Sequence, residues 1–279
     1  MTAPAERVLD DTAEGSPAGW NVADSSPILA VAGDWHGCIE GVQAKLQLLA
    51  ELGVTRLLHV GDFAIWPDRS GRRFLERVNE YATAADIRIA VTPGNHEDWR
   101  YILDCFESAG PGRPAPIRSH ISVLPRGFRW TQRGRSLLSF GGAASIDYEW
   151  RVPGFSWWPE ELPTDTDLAK LRGRAPVDIM ITHDSPIPGV PKVQAIREAP
   201  GGWSEEAVDY ANRGARTVTE AWEAAAPKIL VHGHFHVKDR IRLDSGQKIV
   251  SLAKENDRGN VMLIDLTDLN SMWLDGLRG

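Results

Sequence analysis

The chain has 279 residues, 42% hydrophobic and 25% charged, which suits one large domain or two small ones around a sizeable core. Its 31 basic and 38 acidic residues leave a net charge of −7, and no basic stripe is present to release counterions. That argues against broad non-specific binding to nucleic acid, though not to a small nucleotide whose charge metals could meet inside a cleft. No run approaches the roughly 18 apolar residues of a membrane span. The opening MTAPAERVLDDTAEG is polar and acidic, unlike a signal peptide, and Cys38 and Cys105 are too few and too far apart for a disulfide framework. A reducing cytoplasm is therefore the expected compartment.

Residues 1–25, rich in Ala, Asp, Ser and Pro without periodicity, are expected to form a flexible lead-in to a single domain over 26–279. The apolar run 27–33 predicts a buried strand. Val42, Leu46, Leu49 and Leu52 then recur at helical spacing over 39–52, with Gly53 to close the helix. A strand over 56–61, a helix over 72–83, a strand over 87–92 and a helix over 98–107 follow. This alternation argues for an α/β fold with a parallel sheet. Between 117 and 142 the apolar runs are short and broken by Pro, Gly and Arg, the pattern of consecutive strands. Residues 144–163, with four aromatic or acidic landmarks (Asp147, Trp150, Trp157, Trp158) and three prolines, read as a long structured loop. A short helix over 165–172, a strand over 177–182, a Pro- and Gly-rich loop over 186–203 and a helix over 204–225 come next. Strands are expected at 228–232, 236–243, 247–252 and 260–266. The stretch 144–205 is thus a loop-rich insertion.

Five segments place polar, metal-capable residues directly after an apolar strand: Gly33-Asp34-Trp35-His36-Gly37, Gly61-Asp62, Gly94-Asn95-His96-Glu97, Thr182-His183-Asp184 and Gly233-His234-Phe235-His236. Strand ends are where an open sheet gathers ligands from distant parts of the chain. A glycine beside the donor lets the backbone turn sharply and approach an ion. Histidine, carboxylate and an asparagine carbonyl without thiolate suit Mn, Fe, Zn or Ni. A single D-x-H or G-D carries little information, but five such segments in this order carry a great deal.

The order D-x-H, G-D, G-N-H-E, a lone His and G-H-x-H, spanning residues 33–236, resembles the calcineurin-like metallophosphoesterase superfamily. The resemblance implies a four-layer α/β/β/α sandwich of two central mixed sheets, with a dimetal site at the strand ends. It implies that Asp34, His36 and His236 hold one metal, that Asn95, His183 and His234 hold the other, and that Asp62 bridges them. The ions would be divalent, manganese first, with Fe, Zn, Ni or Mg as alternatives. His96, beside Asn95, would face the substrate, stabilising the phosphate or protonating the leaving oxygen. The implied reaction is hydrolysis of a phosphomonoester or phosphodiester by in-line attack of a metal-bound hydroxide. The family more often has aspartate where this chain has Glu97, a departure expected to touch only the surroundings that orient His96.

Other histidines are set aside. His59 lies in an apolar run and reads as a packed strand residue, His120 lies in a predicted strand, and His232 precedes the glycine of G-H-x-H. Trp35 and Trp66, within or just after metal motifs, are expected to line the cleft, Trp35 as a substrate contact together with Asn95 and His96. The loop bearing Trp150, Arg151, Trp157, Trp158, Glu160 and Glu161 is either a lid that sets substrate choice or a segment packed onto the sheet edge. Two alternatives to a general phosphoesterase stay open. One is a hydrolase directed at nucleotides, cyclic or dinucleoside polyphosphate, although G-D-F-A-I-W-P lacks the arginine such enzymes carry after the bridging aspartate. The other is a metal-binding interaction module without catalysis, which a complete set of ligands argues against. The expected partner is a small phosphorylated substrate, with no membrane.

Overall fold

A computed structural model describes residues 26–275; the lead-in expected over 1–25 lies outside the described residues. The first half alternates strand and helix as its periodicity requires: β1 (Ile28–Ala32), α1 (Val42–Glu51), β2 (Arg56–His59), α2 (Arg69–Ala84), β3 (Arg88–Val91) and α3 (Trp99–Ala109). Asp68 and Asp98 cap α2 and α3, each side chain accepting a backbone N–H three residues on. The second half contains β4 (Ala115–Arg118), β5 (Ile121–Val123), β6 (Phe128–Gln132), β7 (Arg135–Phe140), α4 (Asp165–Ala169), β8 (Ile179–Thr182), α5 (Pro191–Glu198), α6 (Glu205–Ala225), β9 (Ile229–His232), β10 (Asp239–Arg242), β11 (Lys248–Ser251), β12 (Val261–Asp265) and β13 (Ser271–Trp273).

The strands form two mixed sheets, one in the order β13-β12-β1-β2-β3-β5-β4 and one in the order β10-β11-β9-β8-β7-β6. Their inner faces meet in a buried apolar layer where Leu29, Val31, Leu58 and Ile264 of the first sheet face Leu137, Ile181, Val231 and Val250 of the second. The outer face of the first sheet packs Ala30, Leu57, Ile89 and Val91 against Leu46, Leu49, Leu75, Val78 and Ile102 of α1, α2 and α3. The outer face of the second packs Leu138, Met180 and Leu230 against Leu168, Val193, Ala221 and Ala225 of α4, α5 and α6. The architecture is therefore the four-layer α/β/β/α sandwich. Central strands β1, β2, β8 and β9 are buried on both faces, which explains why they read as continuous apolar runs and not as alternating ones.

Four local readings change. The 186–203 span contains α5, which starts with Pro191 at its first turn. Proline there supplies a fixed φ and lacks only an N–H that no helix would use, so it begins a helix instead of breaking one. An edge strand, β13, continues the first sheet by antiparallel pairing with β12. His120 lies in the turn between β4 and β5, where its N–H donates to Asn79 Oδ1 at 2.9 Å. The strand expected from 236 begins only at Asp239, because His234 and His236 adopt left-handed backbone conformations that no strand accommodates.

Candidate metal centre

The five motifs leave the carboxyl ends of β1, β2, β3, β8 and β9, so both sheets deliver side chains to one shared edge. The turns there are tight. Non-glycine residues His36, Asp62, Ala64, His234 and His236 all have φ between 46° and 90°. Such conformations cost on the order of 1–3 kcal/mol each and persist where the surroundings over-determine them. Glycine serves a different purpose at Gly233, where a Cβ would overlap Asp34 Oδ1, and at Gly61, where φ is 116° and a Cβ would lie 2.5 Å from His183 Nδ1. Gly61, Gly94 and Gly233 each make room for the donor of another motif.

Donor atoms of Asp34, His36, Asp62 and His236 lie within 4.8 Å of one another. His236 Nε2 is 3.1 Å from Asp34 Oδ2, and His36 Nε2 is 3.5 Å from Asp62 Oδ2. On the other side of Asp62, its Oδ1 is 3.2 Å from His183 Nε2, which is 3.0 Å from Asn95 Oδ1. The His183 and His234 rings are 5.1 Å apart, and the His234 N–H donates to Asp34 Oδ2 at 3.0 Å. Asp62 thus turns one oxygen to each group.

The residues fit a cation on both sides. Asp34 Oδ1 is buried with no hydrogen-bond partner among the described residues, an expensive state unless an ion meets it. His183 Nδ1 lies 2.9 Å from the Val60 carbonyl, which only accepts, so that nitrogen carries the proton. His183 Nε2 faces the oxygens of Asn95 and Asp62, so a cation there would take the place of the Nε2 proton and be met by three donors. Burial opposes charge on His183, yet Asp62, Asp34 and Glu97 push it up to about 10. Burial likewise opposes charge on His36, which Asp62, Asp34 and Glu255 push up to about 9. Burial raises and the surrounding histidines lower the Asp62 carboxyl, and it ends well below the usual carboxylate range. The carboxylates of the cluster thus favour positive charge on His183 and His36, charge that a bound cation would supply in place of their protons.

A family model for calcineurin-like phosphoesterases matches residues 28–238, which include every one of these donors. The chain belongs to the calcineurin-like phosphoesterase family. As a member it is a metal-dependent phosphoesterase. Among solved structures the phosphoesterase is similar to one crystal structure at 16% identity, covering 89% of this chain and 98% of that one with a TM-score of 0.59. It is also similar to the TT1561 protein of Thermus thermophilus at 13% identity, covering 90% and 99% with a TM-score of 0.55. A dimetal phosphatase from Danio rerio aligns at 12% identity over 89% of this chain and 98% of that chain, with a TM-score of 0.49. At these identities the likeness to the first two is one of fold. No curated protein sequence matches the phosphoesterase.

Trp35 is not a substrate contact. It is fully buried, stacks on Phe63 and donates from Nε1 to Asn260 Oδ1 at 3.2 Å. Its neighbours Asp34 and His36 turn toward the cluster, and the residue between them must point the opposite way, into the core. Trp66 is half-buried beside the site and donates to the His96 carbonyl at 2.6 Å. The His96 imidazole is partly exposed, with Nε2 4.0 Å from Asp62 Oδ2 and its ring 5.7 Å from that of His36. His59 is packed in β2, and His232 in β9 turns its Nδ1 to the Gly233 carbonyl.

Glu97 does more than its place beside His96 suggested. Fully buried, it accepts backbone N–H bonds from Phe63 at 2.5 Å, Gly94 at 2.6 Å and Asp62 at 3.3 Å, tying the β2 loop to the β3 loop. Burial and the nearby Asp62 push its carboxyl up to about 7. Three further supports carry no sequence signal of their own. Glu255 accepts from or donates to His36 Nδ1 according to protonation, at 3.0 Å. Ser145 Oγ accepts from Asn95 Nδ2 at 3.0 Å, and Glu161 Oε2 accepts from that same hydroxyl at 2.7 Å. Glu161 also accepts from Ser145 N, Tyr210 OH and Trp157 Nε1. Because the single Ser145 proton goes to Glu161, Ser145 can only accept from Asn95, and the Asn95 carbonyl oxygen is left facing His183. The unexpected helix α5 buttresses the same edge: Arg197 pairs with Asp184 at 3.2 Å and lies 4.9 Å over the Phe235 ring.

Proposed function

We propose that this protein hydrolyses a phosphomonoester or phosphodiester with two divalent ions bound, Asp34, His36 and His236 holding one, Asn95, His183 and His234 the other, and Asp62 shared between them. The observation that carries the reading is the division of Asp62, whose Oδ2 faces His36 while its Oδ1 faces His183, at 3.5 and 3.2 Å. A carboxylate can serve two ions because it has two oxygens, whereas an imidazole cannot. The ions, when bound, would supply Lewis-acid charge for the phosphoryl oxygens and a water acidic enough to react near neutral pH. Carboxylate, amide carbonyl and imidazole without thiolate favour Mn, with Fe, Zn, Ni or Mg as competitors.

The chain supplies orientation and a donor for the leaving oxygen. Val60 holds the His183 tautomer, and the Glu161–Ser145 pair holds the Asn95 amide so that its oxygen faces inward. His96, partly exposed at the rim and outside both ligand groups, stands where it can donate a hydrogen bond or proton to the departing ester oxygen. Burial pushes its imidazole down, which favours the neutral form and a hydrogen bond to that oxygen over transfer of a proton. The test is hydrolysis of chromogenic phosphomonoester and phosphodiester substrates by metal-stripped protein, with Mn, Ni, Zn or Mg added back. Activity restored by a transition metal supports the reading. A folded protein that binds two ions and turns over neither substrate counts against it.

A further inference from the structure

The long loop before α4 sends one cation to the rim of the site. Arg151 follows a short 3-10 turn, Tyr148–Trp150, and its guanidinium is fixed on three sides. Nε donates to Asp147 Oδ1 at 2.8 Å, Nη1 to the Ser156 carbonyl at 3.3 Å, and Nη2 lies 3.0 Å from His96 Nε2. Its backbone is held as well: the Arg151 N–H donates to Tyr148 O, and Val152 N–H to Ser156 Oγ. The side chain is only 12% exposed, so this is an ordered group and not a solvated surface arginine. Asp147 engages Nε alone, which leaves the Nη2 protons directed at the site. His96 is the residue that should meet the substrate, and a guanidinium is a permanent cation with forked donors suited to phosphate.

We propose that Arg151 binds a phosphoryl oxygen beside His96 and thereby makes this site selective for phosphomonoesters over phosphodiesters. The inference rests on the phosphoesterase reading above. A monoester has three non-bridging oxygens and up to two negative charges. A diester has two such oxygens and one charge, and two bound ions would each claim one of those oxygens. Only the monoester has a further charged oxygen to offer Arg151. Asp147 serves as a positioning residue, since its bond to Nε sets the plane of the guanidinium.

The experiment compares wild type with Arg151→Ala, Arg151→Lys and Asp147→Asn, each loaded with Mn. Three quantities are read: kcat/KM for p-nitrophenyl phosphate and for bis-p-nitrophenyl phosphate, the Kd of inorganic phosphate by calorimetry, and metal content. Loss of a charged hydrogen bond is worth about tenfold to a hundredfold. Arg151→Ala is expected to lose that much in monoester kcat/KM and in phosphate affinity, with a diester loss at least ten times smaller and two ions retained. Arg151→Lys should recover part of the monoester rate, because it keeps the charge without the fork. Asp147→Asn should fall between. A folded, metal-loaded Arg151→Ala protein with unchanged phosphate affinity and an unchanged monoester-to-diester ratio would overturn the assignment and leave the phosphoesterase reading standing. A wild-type protein that turns over neither substrate and binds no phosphate would overturn both.

Discussion

Glu161→Gln separates stability from site geometry. The carboxyl is fully buried, and burial pushes it up to about 7 from 4.5 against four donors. At pH 8 the wild-type carboxylate is ionised, and the difference between those two values, burial net of the four donors, corresponds to about 3 kcal/mol against the charged form. Glutamine carries no charge and is spared that cost. Its Oε1 can still take Ser145 N, Tyr210 OH and Trp157 Nε1, but its amide nitrogen must then face Ser145 Oγ. The serine proton loses its acceptor, at about 1–3 kcal/mol for a buried polar group without a partner, and the remaining bonds weaken to neutral strength. The two effects nearly cancel, so urea denaturation of the metal-free protein should place the variant within about 1–2 kcal/mol of wild type. The site fares worse. With the amide donating to Ser145 Oγ, the Asn95 amide meets a competing donor and its Oδ1 is no longer fixed toward His183. Loss of such an outer partner costs about 10–100-fold in metal affinity, read by calorimetric Mn titration as weakening of one ion out of two. Ser145→Ala should weaken the same ion. Unchanged Mn binding in both variants would refute the relay.

The same carboxyl gives a pH dependence. Because its pKa is raised on folding, the folded state holds its proton where the unfolded chain has released it. Wild type should therefore lose stability relative to Glu161→Gln as pH rises from about 4.5 to about 7, and hold a constant difference above that, measured by denaturation across pH 4.5–8.5. Asp62→Ala should abolish hydrolysis and weaken both ions, while His96→Ala should retain both and slow turnover by about two orders of magnitude or more; equal metal loss in the two variants would count against the role given to His96. Gly233→Ala places a Cβ against Asp34 Oδ1. Its expected result is a folded protein with the Asp34 ion lost, visible in metal content by mass spectrometry. For Glu97→Ala, three backbone N–H groups lose their acceptor, and thermal denaturation should show destabilisation by about 3–5 kcal/mol.

The sequence by itself determined the framework and the inner ring of donors. Strands β1, β2, β8 and β9 are legible because burial on both faces forces continuous apolar runs, and four of the five motifs are legible because a glycine and a donor follow such a run; Thr182-His183-Asp184 has the donor without the glycine. Tertiary structure decided what those local rules leave open. Trp35, one residue from two donors, faces the core because adjacent side chains in a tight turn cannot all face one ion. Pro191 starts a helix that its neighbours Pro186, Pro188 and Gly189 disguise as loop. The partners that orient the donors, Glu255 for His36 and the Glu161–Ser145 pair for Asn95, lie 219 and up to 66 residues away along the chain. A buried carboxylate 66 residues from the amide it orients obeys no periodicity and no spacing rule. Its role exists only once two sheets have closed around it.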